Sequence, residues 1–354
     1  MITPTTYATA LFLLIVSMLC WGSWANTFKM AGKWRFELFY YDYALGVLIA
    51  AVVAAYTFGS LGNDLSFADN LLIAGRRNEA FGVAAGVVFN LANMLLVAAI
   101  SIAGLAVAFP VAIGLALVIG VIWNYALNPQ GHKFLLAAGV VLVVGAIVVD
   151  AIAYGAHARA SRKETVPPPA AQRGRTKVDR RGSGAKGLIV SLVSGLLMGS
   201  FYPLVQIGVG GGPDSAGLGP YAVAFFFAIG VFLSTFIFNL YFLNLPVEGE
   251  PISMSFYLRG TARQHLLGIL GGLIWCTGAI ANFVAASTPK QVQVGPAISY
   301  AIGQGATMIS ALWGLLVWKE FAGANSRVKA MLAIMLLLFV AGLALVALAP
   351  IYAD

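Results

Sequence analysis

The stretch HARASRKETVPPPAAQRGRTKVDRRGSGAK, residues 157–186, decides the fold. It holds Pro167, Pro168 and Pro169 and nine Lys or Arg residues, a composition with too little apolar surface to build a core, and it reads as a hydrated linker. Working outward, five apolar stretches precede it and five follow. They run Thr6–Phe28, Leu38–Phe58, Glu79–Ala103, Leu105–Leu127 and Lys133–His157, then Gly187–Val209, Pro220–Leu243, His265–Ser287, Val292–Trp318 and Val328–Pro350. Each is near the ~20 residues a helix needs to cross a bilayer core, where the backbone must satisfy its own hydrogen bonds. The chain therefore reads as an all-α polytopic membrane protein. The composition agrees: 354 residues, 60% hydrophobic and 10% charged, with mean hydropathy +0.89. A soluble domain carries about 25% charged residues.

A linker after five spans invites a search for repetition. Gly22-Ser23-Trp24 echoes Gly199-Ser200-Phe201, and Gly46-Val47 echoes Gly230-Val231. Gly82 and Gly86 echo Gly268 and Gly272, Pro110 echoes Pro296, and Lys133 echoes Lys329, all in the same order. Because five is odd, the second copy crosses the bilayer in the opposite sense, as two inverted five-helix repeats, a plan many secondary transporters use. The expected organisation is a first repeat over residues 1–157, a basic cytoplasmic linker over 158–186 and a second repeat over 187–354.

Charge sets the orientation. The net charge of +8 reflects the linker and neighbouring loops rather than a nucleic-acid surface. Lys29, Lys33, Arg35, the nine basic linker residues, Arg259, Arg263, Lys319, Arg327 and Lys329 fall on one side, against Arg76, Arg77, Lys133 and Lys290 on the other. The positive-inside rule then puts the linker in the cytoplasm and both termini outside, in a cytoplasmic (inner) membrane. The first span lacks a basic leader and a small-residue cleavage site and is expected to be retained. Cys20, Cys276 and the scattered His132, His157 and His265 supply neither a disulfide framework nor a metal site, and no cofactor is expected. Gly182 to Gly187 lacks the spacing of a phosphate-binding loop, and no enzyme signature stands out.

Two acidic side chains lie clear of the span ends, Asp42 and Asp150. Asp42, within Phe39-Tyr40-Tyr41-Asp42-Tyr43, reads as a proton-coupling carboxylate or as an interfacial helix-start residue favoured by the helix dipole. Asp150, near a helix end and the basic linker, reads as a structural ion-pair or interface residue. Uncharged polar residues recur at helical spacing: Gly86, Asn90 and Asn93; Gly195, Gly199, Tyr202 and Gln206; Gly271, Trp275, Gly278 and Asn282; and Tyr300, Gln304 and Thr307. Amides and hydroxyls replace the water shell of a neutral polar solute, aromatic faces stack on it, and small residues let helices approach. The same residues also serve helix-to-helix hydrogen bonds. As a set they point to a mid-membrane cavity for an uncharged solute.

These residues resemble the drug/metabolite transporter superfamily, in its ten-helix branch, and within it the ureide permeases and the related glucose/rhamnose porters. Gly22-Ser23-Trp24, Tyr41-Asp42-Tyr43 and Tyr56-Thr57-Phe58-Gly59-Ser60-Leu61-Gly62 are similar to the ureide permease opening. Ala92-Asn93, Val118-Ile119-Gly120 with Asn124-Tyr125, and Asn244-Leu245-Pro246 match later family motifs. Ser310-Ala311-Leu312-Trp313-Gly314 with Lys319-Glu320 is similar to both groups, and Gly271-Gly272-Leu273-Ile274-Trp275 and Ala112-Ile113-Gly114 to the rhamnose–proton symporters. Departures are a short first loop without the plant family's acidic residue, Thr277 where an amide is common, and no nucleotide-binding-like motif in the linker. The resemblance implies proton-coupled uptake of allantoin- or uracil-like compounds, or of sugars. It adds Asn124 to the candidate solute residues and supports Asp42 and Asn93. Drug export and a non-transport interaction role are the other readings.

Overall fold

The computed structural model describes residues 1–62, 65–103, 105–165, 180–210, 216–246, 250–288 and 294–352. The first half contains α1 (Tyr7–Ser23), α2 (Ala25–Met30), α3 (Phe36–Tyr56), the short α4 (Phe67–Ile73), α5 (Arg76–Ala103), α6 (Leu105–Leu127) and α7 (Lys133–Thr165). The second contains α8 (Arg180–Val209), α9 (Pro220–Asn244), a 3₁₀ turn at Met254–Arg259, α10 (Ala262–Ala286), α11 (Pro296–Gly303), α12 (Ala306–Leu312), a π turn at Trp313–Val317 and α13 (Ser326–Leu348). Among the described residues nine helices are long and apolar enough to span a membrane, and Val111–Leu127 is a shorter apolar stretch of α6. The protein is an all-helical, polytopic membrane protein.

Local chemistry explains the ends. Thr6 and Thr261 open α1 and α10 with capping boxes, Asn325 caps α13, and Pro220 and Pro296 occupy first turns where the missing N–H is harmless. Two helices invade the linker foreseen for residues 158–186, since α7 continues to Thr165 and α8 begins at Arg180. Pro167, Pro168, Pro169, Arg173, Arg175 and Lys177 lie outside the described residues, as does Lys290. The ninth apolar stretch is broken: α11 ends at Gly303, α12 restarts at Ala306, and the π turn ends at Val317, shortly before Lys319, whose φ of 51° lies in the left-handed region. Pro110 lies near the beginning of α6.

Packing pairs the halves through backbone contacts. Helices α3 and α10 cross where a Cβ on Gly46 would strike the Ile269 carbonyl and one on Gly272 the Tyr43 carbonyl. Helices α5 and α9 cross the same way, with Gly86 against the Phe227 carbonyl and Gly230 against that of Val83. The echoing glycines of the sequence thus make equivalent crossings. Likewise Gly22 of α1 rests on Ala306 and Ile309, and Gly199 of α8 on Ala116 and Ile119. The most extensive helix contacts are preserved when the halves are exchanged: α1 packs on α10, α11 and α12 as α8 packs on α5 and α6, while α3–α9 and α7–α13 map onto themselves. The first helix of each half is therefore held mainly by the other half.

A leucine at Gly272 or Gly86 forces helix backbones apart, and overpacking of this kind costs about 1–3 kcal/mol or more. Gly272→Leu and Gly86→Leu are expected to lower the thermal unfolding midpoint in detergent by several degrees. Gly114→Ala, with no atom within 4 Å of the added Cβ, is expected to leave it in place.

Candidate solute cavity and the Asp42 site

The glycine crossings set what meets at the centre. Phe89 and Trp275 each follow a crossing glycine by three residues, and their rings meet at 4.3 Å with planes 31° apart. Trp275 also stacks on Trp21 (5.9 Å, 18°) and on Phe227 (5.7 Å, 15°). Trp21, Phe89 and Trp275 form one wall of a cavity of about 200 Å³ between α1, α5, α6, α8, α10 and the α11–α12 break, with Phe227 behind them. Asn93, Trp275, Gln304 and Thr307, four of the sequence candidates, line it. So do Trp21, Trp24, Phe89, Phe201 and Ser310.

Several polar atoms there are uncommitted. Asn93 donates through Nδ2 to the Tyr40 hydroxyl at 3.0 Å, which leaves its Oδ1 without a protein partner among the described residues. The Gln304 side-chain amide and the Ser310 hydroxyl likewise have none there, whereas Thr307 Oγ1 donates to the Gln304 carbonyl at 2.9 Å. An amide pair and a hydroxyl facing aromatic rings can accept from and donate to a flat polar molecule.

The other candidates are elsewhere. The Asn90 amide faces the Val231 carbonyl (3.2 Å), Ser234 Oγ (2.8 Å) and Thr235 Oγ1 (3.1 Å) and ties α5 to α9. Asn124 bonds back to the Gly120 carbonyl of its own helix at 2.7 Å. Tyr202 donates to Asn282 Oδ1 at 2.6 Å, and Asn282 donates to Ser17 Oγ (3.1 Å) and the Ser299 carbonyl (3.0 Å). The Tyr300 hydroxyl approaches the carbonyls of Met198 and Ala116 at 3.3 and 3.4 Å. This buried network joins α1, α6, α8, α10 and α11 on the side of the cavity away from the linker. Gln206 lines a separate pocket of about 290 Å³ with Arg77 and Asn78, near the face opposite the linker.

Asp42 lies one turn before Gly46, 2% exposed, and its Cβ sits against Gly268 of α10. It accepts from the Tyr257 hydroxyl at 2.5 Å and pairs with His265 Nδ1 at 2.8 Å. Burial, then the hydrogen bond and charge of Asp42, push the Tyr257 phenol well above its ordinary pKa, so it stays a donor. Asp150 has no basic ion-pair partner among the described residues. Its nearby charge is Glu320, which pairs with Lys29 at the end of α2.

Sequence reasoning missed Trp21 and Trp24, because Trp at span ends also marks membrane interfaces. A signal was available: in the echo of Gly22-Ser23-Trp24 by Gly199-Ser200-Phe201, both aromatic residues line the cavity. For His265 and Tyr257 there was none, since both lie more than 200 residues from Asp42.

A concave, mostly apolar cavity carrying a few polar groups is the form that small-molecule sites take, here set among membrane-spanning helices. A family model described as ureide permease matches residues 39–181 and 175–349, and the chain belongs to that family. Ureide permease 1 of Arabidopsis thaliana is 24% identical over 95% of this chain and 95% of its own length. Ureide permease 4 of the same plant is 24% identical over 96% of each. A protein of known crystal structure, 15% identical, superposes with a TM-score of 0.61 over 96% of each chain and shares the fold. The relatives are permeases, and the chain is a membrane permease rather than an enzyme.

Removing a partner from a buried network costs about 1–3 kcal/mol, because the groups left behind stay desolvated. Asn282→Leu strands Tyr202, Ser17 and the Ser299 carbonyl, and is expected to lower the unfolding midpoint in detergent. Gln304→Ala, whose amide has no protein partner among the described residues, is expected not to lower it.

Proposed function

We propose that this permease carries a small, neutral polar solute, a ureide or nucleobase such as allantoin or uracil, by proton-coupled alternating access of two inverted five-helix repeats. The observation that carries the reading is the wall of Trp275, Trp21 and Phe89 facing the free polar atoms of Asn93, Gln304 and Ser310. Stacking suits a conjugated planar solute, and the amides suit its alternating N–H and C=O groups. A volume near 200 Å³ lies below the roughly 300–1,000 Å³ of drug-sized sites and favours a small metabolite over a multidrug substrate. The ureide permease names of the relatives point the same way.

The matched glycine crossings and exchangeable helix contacts support the repeat architecture of the ten-helix drug/metabolite transporter branch. With the linker cytoplasmic and the protein in the inner membrane, the Tyr202–Asn282 network lies on the outer side of the cavity. Asp42, buried near the linker face, is the coupling carboxylate in this reading. A sugar–proton symporter is the second reading, resting on the likeness of Gly271 to Trp275 to the rhamnose symporters.

Purified protein in proteoliposomes under an inward proton gradient, offered labelled allantoin, uracil, rhamnose and glucose, tests the reading. Gradient-driven accumulation of a ureide or nucleobase is expected, with apparent affinity weakened about tenfold or more in Trp275→Leu and Asn93→Leu. Tenfold corresponds to about 1.4 kcal/mol, within reach of one lost stack or hydrogen bond. Accumulation of sugars alone would move the protein to the second reading, and accumulation of none of the four would overturn both.

A further inference from the structure

The halves build the same crossing with different chemistry. In α5 and α9, Phe226 presses its Cβ on Gly82, and Glu79 lies one turn before that glycine. At the equivalent place in α3 and α10, Asp42 presses on Gly268, and His265 lies one turn before it. A phenylalanine makes the crossing without a charge, so the fold does not require the buried carboxylate, whose desolvation is costly.

Two geometric facts define what this pair can do. The Asp42 side chain is 3% exposed and that of His265 25% exposed, so of the bonded pair the histidine is the member that reaches water. The Asp42 carboxylate also has just two hydrogen-bond partners among the described residues, His265 and Tyr257. Tyr257 holds its proton tightly, as its environment dictates, whereas histidine is the side chain suited to exchanging protons near neutral pH. The surrounding charges are otherwise engaged or turned outward. On α3, Arg35 pairs with Glu37, and Tyr40 and Tyr43 face inward away from the carboxylate. On α10, Arg263 is exposed, and beside the 3₁₀ turn Arg259 lies over Phe256. Helix α9 contributes the uncharged Asn239, bonded to the Glu37 carbonyl, and Lys29 of α2 is paired with Glu320.

We infer that His265 is the residue through which Asp42 exchanges its coupling proton with the linker-side solution, while Tyr257 holds the carboxylate in place. This deepens the proposed function and rests on Asp42 being the coupling carboxylate. In the step, a proton from water binds His265 Nε2 and the Nδ1 proton passes to Asp42 Oδ2. The products are a neutral carboxyl and a neutral imidazole protonated on Nε2, with one proton taken from solution overall. The same turn of α3 carries Tyr40, bonded to Asn93, and Tyr43, whose ring lies 4.9 Å from Trp24. Neutralisation of Asp42 therefore reaches two residues of the cavity through one rigid turn.

The test compares wild type, Asp42→Asn, His265→Gln, His265→Ala and Tyr257→Phe in proteoliposomes, using labelled allantoin or uracil, whichever wild type accumulates. His265→Gln is expected to lose at least tenfold of gradient-driven accumulation and to flatten the pH profile of uptake between pH 5.5 and 7.5, while solute counterflow persists. Tyr257→Phe is expected to lower the rate but keep the profile. Free imidazole on the linker side is expected to restore pH-dependent uptake to His265→Ala, a rescue that a merely structural histidine would not show. Wild-type accumulation and profile in His265→Gln, with accumulation lost in Asp42→Asn, would overturn the relay and leave Asp42 as the coupling site. Accumulation retained in Asp42→Asn would overturn the coupling role of Asp42 and the relay with it. Counterflow lost in both His265 variants without imidazole rescue would make the histidine structural and also overturn the relay.

Discussion

Glycine set against backbone carbonyl is the contact on which the molecule depends. Lipid tails are as apolar as leucine, so helices inside a bilayer are not driven together by burial and are held by close packing and by hydrogen bonds between them. At Gly46 with Gly272, and at Gly86 with Gly230, the backbones approach so closely that any side chain would collide with a carbonyl of the facing helix. Once these crossings are fixed, Phe89 and Trp275 must meet at the centre, Asn93 must reach the cavity one turn beyond Phe89, and Asp42 must lie against Gly268. Site and skeleton are one construction.

The fold was legible in the sequence because bilayer thickness and internal hydrogen bonding leave few alternatives for twenty apolar residues. The order of the glycine echoes held more than a count of spans, for each echo turned out to mark an equivalent crossing. Helix ends at the linker were less legible: the polar residues up to Thr165 and from Arg180 read as loop, yet helices already supported by packing extend through them.

The cavity was legible in part, for a physical reason. Asn93 and Asn90 stand three residues apart on one helix with the same chemistry, but Asn93 lines the cavity, whereas Asn90 lies outside that lining and gives its Nδ2 to Ser234 and Thr235. Nothing in a single sequence separates an amide that binds a solute from one that binds a neighbouring helix. Asn282 and Tyr202 show the same ambiguity, resolved by their mutual hydrogen bond. Trp21 and Trp24 were hidden because their composition fits an interfacial belt as well as a binding wall. Where the two halves share a backbone plan, one difference in chemistry stands out: Asp42 and His265 occupy the seats that Phe226 and Glu79 hold in the other half.

Direct binding tests most closely whether the wall of stacked aromatic rings at the junction of the halves holds the solute. Tryptophan fluorescence of the purified protein, titrated with allantoin and with uracil, should show a saturable change for at least one of them. That change should disappear in Trp275→Leu and survive in Trp34→Phe, since Trp34 lies against His265 and outside the cavity. A response that persists unchanged in Trp275→Leu, or no saturable response to either compound, would contradict binding at this wall.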